Sequence, residues 1–462
     1  MNRCISLIAL LPLGLASVLA AQDTRTVTEP VIPPACVTLD AQLTAKGHTL
    51  ADADETKLDT ERIQKAIDHC GKGQGVLLRA KDAADAFVSG PLELRAGVTL
   101  VVDKGTTLFA SRDADLYANE PGSCGIVLEK AGRGCKPLIA VKHVAGAGIM
   151  GDGVIDGRGG EKILGHNKSW WDLAEDARVV GKEGKDLHQM VPRLIIADSA
   201  DDFTIYRITL KNSPNFHVTY SNGNGFTVWG LKIDTPQRLA RNTDGVDPGT
   251  GSQNVTTPHS YIRTGDDNVA IKGGRGGATH MTISHNHFYW GHGMSIGSET
   301  DGGVSTIRVT DLSLDGPDSG IRIKSNGSRG GLTQDVIYDD VCVRNSPNPI
   351  SLDTGYTAAG TVKGNSPPTM RDITLHNVRV EGGGKISFNG YAKEYRIGAI
   401  LDNVLLSDSA TYKYSISHSD LVFGPGPVNL QIASGEDSTV QGKPGKGTPA
   451  SCKDKFVPFP AN

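Results

Sequence analysis

The sequence predicts an all-β protein, a right-handed parallel β-helix wound as a single-chain solenoid, with a short N-terminal helix capping it. Three observations carry this reading. Short alternating strands follow one another, as at Val98-Thr99-Leu100-Val101-Val102, Phe203-Thr204-Ile205, Phe226-Thr227-Val228, Met281-Thr282-Ile283 and Ile307-Arg308-Val309, with Gly, Asn and Asp between them. A second strand type recurs at Val246, Val269, Met294, Ile321 and Ile350, at intervals of 23, 25, 27 and 29 residues. The chain of 462 residues holds 57 Gly without a Gly-X-Y period, which indicates tight turns rather than collagen. No helical pattern separates the strands, which disfavours doubly wound and barrel α/β folds. Propeller blades of about 40–45 residues fit the repeat worse.

The N-terminus reads as an export signal over residues 1–20. Arg3 supplies the positive start, Ile5 to Leu19 is mostly apolar, and Val18-Leu19-Ala20 offers small residues for cleavage. The run is too short to span a membrane. The expected location is therefore extracellular, reached by secretion, with periplasmic transit. Residues 21–57 form a polar, irregular extension. Within the β-helix domain expected at 58–432, Ile63, Ala66, Ile67 and Cys70 fall at helical spacing, with Asp59 or Thr60 as N-cap and Gly71 as the stop. Ser169-Trp170-Trp171 to Arg178 reads as a helical excursion from the coils. Residues 433–462 form a C-terminal tail rich in Gly, Lys and Ser.

A formal net charge of −4 provides no global field for nucleic acid or membrane, so neither is an expected partner. Affinity for a polyanion must come from a local basic patch. Once Cys4 leaves with the signal, six cysteines remain, an even number suited to disulfides in an oxidising compartment. Cys124 and Cys135 bracket a short Gly-rich loop and are expected to pair; Cys36 with Cys70 would staple the N-terminal segment. Cys342 lies in an apolar strand pattern and reads either as a buried thiol or as a partner of Cys452. The chain contains no C-x-x-C.

Four stretches stand about one coil apart: Asn242-Thr243-Asp244-Gly245, Gly265-Asp266-Asp267, Gly291-His292-Gly293 and Arg322-Ile323-Lys324. If each coil adds a layer about 4.8 Å high, residues more than twenty positions apart become neighbours. Alternation within Ile321-Arg322-Ile323-Lys324 buries both isoleucines and projects both cations the same way. The carboxylates and His292 lie at strand starts, where alternation does not fix their direction. An isolated Asp-Asp is ordinarily a solvated turn, and an isolated Arg-x-Lys a solvated strand face. Together, the crowded carboxylates push their pKa values apart, so that one stays protonated beside ionised neighbours. Glycoside hydrolysis needs that division between an acid and a base, and Arg with Lys suits the carboxylates of an acidic sugar polymer.

Three other patterns compete. Gly293-Met294-Ser295-Ile296-Gly297 matches a nucleophile elbow, but a loop and a strand follow it instead of a helix. His280, His285, His287 and His292 lack an accompanying carboxylate or Cys ligand set for a metal. Gly273-Gly274-Arg275-Gly276-Gly277 precedes no helix and reads as a turn rather than a phosphate cradle.

The ordered set N-T-D-G-V-D at 242–247, G-D-D-N-V-A-I-K at 265–272, G-H-G-M-S-I-G-S-E at 291–299 and R-I-K at 322–324 resembles the polygalacturonases of glycoside hydrolase family 28, bacterial secreted endopolygalacturonases above all. The likeness extends to Ser213-Pro214-Asn215-Phe216-His217-Val218, to Trp170-Trp171 and to the N-terminal cysteine pairs, over residues of about 24–430. It implies hydrolysis of α-1,4 bonds between galacturonic acid units of de-esterified pectin, inverting and endo-acting, without metal or other cofactor, by a monomer whose partner is the polysaccharide. By resemblance Asp266 is the general acid, Asp244 and Asp267 activate water, and His292 supports the acid. Arg322, Lys324 and Tyr356 bind substrate. A calcium-dependent pectate lyase and a non-catalytic β-helical adhesin are the rival readings.

Overall fold

The computed structural model describes residues 23–130, 132, 134–182, 187–357, 364–432, 435–446 and 451–461; the export signal read at 1–20 lies outside them. The chain winds as a right-handed parallel β-helix. Among the described residues, eleven strands form one parallel sheet, here the site sheet. It runs from Leu92–Glu93 through Val218–Ser221, Val246–Pro248, Val269–Ile271, Met294–Ile296, Ser319–Lys324 and Asn348–Asp353 to Tyr412–Ser417.

The register is the one that apolar spacing predicts. Val246 pairs with Val269, Val269 with Met294, Met294 with Ile321 and Ile321 with Ile350. All five side chains are fully buried, so each coil lays one apolar residue on the last. The adjoining residues point outward in an equally regular column, Thr219 beside Asp247 and Ala270 beside Ser295, then Arg322 and Ser351. Chemistry displayed on this sheet is therefore set by coil register.

The remaining faces of the solenoid form a second parallel ladder, whose later strands are long because they turn corners without breaking. Ala278–Phe288, Val304–Asp315, Leu332–Arg344 and Thr369–Glu381 each carry two left-handed residues. These are His280 and His285, Thr306 and Asp311, Asp335 and Asp340, Asp372 and Asn377, with φ between 49° and 66°. Asn, Asp and His tolerate that conformation better than most residues. This gives His280 and His285 a conformational reason for their positions. His285 also hydrogen-bonds Asp311 at 2.6 Å and stacks on His259.

The ends are tied down. The expected helix spans Thr60–His69 and buries Ile63 and Ile67 completely. Asp59 takes the N-cap position as expected, its carbonyl accepting from Ile63 N. Its side chain caps nothing and accepts instead from Val88 N and Arg62, while Thr60 is the first helical residue and accepts from Gly90 N. The stretch read as irregular contains a strand, Ala35–Asp40, parallel to Gln74–Arg79 and stapled by Cys36–Cys70. Cys124–Cys135 forms as expected, and Cys342 is bonded to Cys452 rather than free. Thr439–Gln441 of the tail pairs with Ser419–Phe423. From Cys452 the chain runs back across the coils: Lys455 meets Asp311 and Asp340, Tyr289 Oη donates to Val457 O, and Phe459 covers Arg263.

The excursion is the helix Trp170–Lys182. Trp170 is buried edge-on to Tyr117, and Trp171 Nε1 donates to Ser213 O at 2.9 Å. Among the described residues no helix is long and apolar enough to cross a membrane.

Candidate active site

Asp244, Asp267 and His292 each stand two residues before a site-sheet strand, at Val246, Val269 and Met294. Parallel hydrogen bonding continues through those positions: His217 N donates to Asp244 O, Gly245 N to Asp267 O and Asn268 N to Gly293 O. The three residues therefore occupy equivalent places in successive coils, and Asp266 joins them beside Asp267. Sequence spacing placed them one coil apart; the ladder decides that they share a face.

Glycine gives His292 its place. Gly291 and Gly293 have φ of 136° and 80°, and a Cβ on Gly293 would lie 1.9 Å from Ser319 O. The G-H-G stretch thus lets the backbone press against the next coil while the imidazole stands out. His292 Nδ1 lies 3.0 Å from Asp266 Oδ1, and its Nε2 lies 3.3 Å from Asp318 Oδ2.

Asp267 is the most firmly held carboxylate. Its Oδ1 accepts from Ser295 Oγ at 2.6 Å and Arg322 Nη1 at 3.2 Å, and its Oδ2 from Lys324 Nζ at 2.6 Å. Ser295 is thus a partner of an acid on a buried strand that leads to another strand, not a nucleophile on an elbow. Arg322 and Lys324 share a face as expected, above fully buried Ile321 and Ile323. Tyr356 lies beneath both cations, its ring centre 5.3 Å from Arg322 Cζ and 5.2 Å from Lys324 Nζ.

A second acidic pair flanks this group. Lys272 Nζ donates to Asp244 Oδ2 at 3.1 Å and to Asp247 Oδ2 at 2.7 Å, and sits 4.3 Å over the Phe216 ring. Neither Asp247 nor Lys272 was singled out from sequence. Alternation could have found both, since each follows a buried apolar residue, Val246 and Ile271. Buried His217 holds the Asp244 coil from behind, its Nδ1 facing the carbonyls of Thr243 and Asp244 and its Nε2 facing Thr235 Oγ1. Burial drops its pKa to about 4, so the ring is neutral, and the two carbonyls assign the proton to Nδ1.

The carboxylates divide into two classes. Burial raises Asp244 well above the usual range against the opposing charge of Lys272, and the charges of Asp247, Asp266 and Asp267 add to the rise. Burial likewise lifts Asp247 to about 6 despite Lys272. Burial would raise Asp266 also, but His292, Lys324 and Lys272 reverse it and hold the group below its ordinary value. At Asp267 burial is overcome by Lys324, Arg322 and His292, so it too is lowered. His292, opposed by burial but facing Asp266, Asp318 and Asp267, is raised to about 10. At rest the proton of the Asp266–His292 pair thus sits on the imidazole, and Asp244 and Asp247 are the carboxylates pushed toward their neutral forms.

Asp266, Asp267 and His292 each bring one ligand atom within 4.8 Å of the others, a spacing that a metal could use. Arg322, Lys324 and the imidazolium already supply positive charge there. The site as built gathers a proton donor pair, an ionised carboxylate and cations on one face of the site sheet.

Residues 81–419 match the family described as Glycosyl hydrolases family 28. The chain is 43% identical to an endo-polygalacturonase of Pectobacterium carotovorum subsp. carotovorum over 87% of this chain and 94% of that one. It is 38% identical to a polygalacturonase of Ralstonia nicotianae over 94% and 92% of the respective chains. The solved polygalacturonase of Erwinia carotovora ssp. carotovora is similar at a TM-score of 0.79 and 41% identity, covering 86% of this chain and 99% of that one. With its coil register, its stacked acids and these matches in agreement, the chain belongs to glycosyl hydrolase family 28.

Proposed function

We propose that the chain hydrolyses α-1,4-galacturonosidic bonds of polygalacturonate, cutting within the polymer and inverting the anomeric centre. The observation that carries this reading is the alignment of Asp244, Asp267 and His292 at one position of successive coils, beside the outward cations Arg322 and Lys324. Relatives named endo-polygalacturonase support the substrate and the mode of cutting.

In this mechanism Asp266 protonates the leaving glycosidic oxygen, drawing on the proton that His292 Nδ1 holds one hydrogen bond away. Asp267 stays ionised through Lys324 and Arg322 and takes a proton from the attacking water. Asp244 completes the water site, its buried Oδ1 having no hydrogen-bond partner among the described residues. Arg322 spends one guanidinium nitrogen on Asp267 and keeps donors for a substrate carboxylate, while the Tyr356 ring packs against both cations.

One observation favours a second assignment of the donor: burial and crowding push Asp244, not Asp266, toward its neutral form. The substitutions Asp266→Asn and Asp244→Asn separate the two. We expect Asp266→Asn to abolish turnover with the far-UV spectrum intact. Full activity in that variant, with loss in Asp244→Asn, would transfer the role to Asp244.

Product sizing from polygalacturonate tests the activity itself. A ladder of oligomers with new reducing ends fits endo-hydrolysis; monomer or dimer from the first minutes means exo-action. Unsaturated products that vanish with EDTA would mean a lyase, and tight binding without cleavage would mean an adhesin. The protein is secreted, a reading supported by its apolar start and three disulfides, and it acts as a monomer; a dimer mass on sedimentation would overturn the monomer.

A further inference from the structure

His292 is gripped on both ring nitrogens, and only one grip belongs to the proposed acid. The second, Asp318, lies in the turn before Ser319–Lys324, where no sequence pattern marks it. Its Oδ2 sits 3.3 Å from His292 Nε2. Its backbone is fixed independently: Asp318 N donates to Gly291 O at 2.7 Å, and Asn348 Nδ2 donates to Asp318 O at 3.1 Å. The residue that holds the far side of the ring is thus bonded through its backbone to Gly291, the residue just before His292. Its side chain is still 55% exposed, so fold stability gives little reason for a carboxylate there.

We propose that Asp318 is a positioning residue of the hydrolytic site, orienting the His292 ring so that Nδ1 faces Asp266. A ring gripped at one nitrogen can swing about its Cβ–Cγ bond; gripped at both, it presents a single edge. A carboxylate at Nε2 also requires that nitrogen to carry hydrogen, which leaves Nδ1–H for Asp266 only when the ring is cationic. The other charges facing the ring group are Asp266 and Asp267 from the preceding coil, Arg322 and Lys324 from the following strand, and Lys272 and Arg241 beyond Asp266. Asp318 counts among the groups that raise His292, and His292 in turn lowers Asp318.

The proposal rests on the reading of Asp266 and His292 as the proton-donating pair, and its test includes a readout independent of turnover. Asp318→Asn keeps an acceptor oxygen but removes the charge; Asp318→Ala removes both. We expect the alkaline limb of the pH–kcat profile to move to lower pH in both variants. In Asp318→Ala kcat should also fall about tenfold, the scale of one charged hydrogen bond, with KM little changed. Imidazole titration by NMR on the intact protein should show His292 losing its proton at lower pH in each. An unchanged His292 titration together with an unchanged alkaline limb would overturn the proposal while leaving the hydrolase reading in place. A shifted titration in a protein whose wild type cuts no polygalacturonate would sustain the grip and overturn the hydrolase.

Discussion

Replacing Lys324 by Met should damage the site in a way the geometry specifies. Among the described residues Lys324 Nζ is the sole hydrogen-bond partner of Asp267 Oδ2, whereas Oδ1 keeps Ser295 and Arg322. Both side chains of the pair are buried, at 7% and 2% exposure. Breaking a buried pair costs about 3–5 kcal/mol because one charge is left without compensation. With two donors still on Oδ1, the lower end applies, about 3 kcal/mol, read as unfolding free energy in urea titrations. Losing the largest stabilising charge raises the Asp267 pKa, so the acid limb of kcat/KM should move to higher pH. Adding Asp267→Asn removes the orphaned charge, so the double variant should recover most of the stability while staying inactive. Equal losses of stability in the single and double variants would refute the reasoning, as would an unmoved acid limb.

Other outcomes follow from the same contacts. His217 takes up a proton near pH 4 when folded and near 6.5 when unfolded, so the unfolded chain binds more protons between those values. Stability should therefore fall as pH drops from 6.5 to 4, by up to about 3 kcal/mol, and His217→Gln should flatten that part of the curve; an unchanged slope would disprove it. The Cys342–Cys452 bond closes a separation of 110 residues and anchors the returning tail, so the paired alanine variant should lose about 2–4 kcal/mol and expose the tail to protease. A variant as stable and as protease-resistant as wild type would show that Lys455, Val457 and Phe459 hold the tail unaided.

The sequence carried the coil register because it is a local property summed along the chain. Val246, Val269, Met294, Ile321 and Ile350 were legible as a repeat and pair in that order, since a one-residue slip would expose the whole column. The outward cations Arg322 and Lys324 were legible for the same reason. Strand ends were less so: the corners at His280 and Asp311 continue their strands through left-handed residues, which alternation reads as breaks.

The amino-acid order alone determined the solenoid, the layer in which each acid lies and the chemical types gathered there, because alternation and repeat length act between near neighbours in sequence. Only the tertiary structure decided that Asp267 takes both cations, that Lys272 lies between Asp244 and Asp247, that Asp318 grips His292 and that Cys342 finds Cys452. Those contacts join side chains across coils, or a tail across several of them. Their energies depend on burial and distance, and neither exists until the layers have stacked.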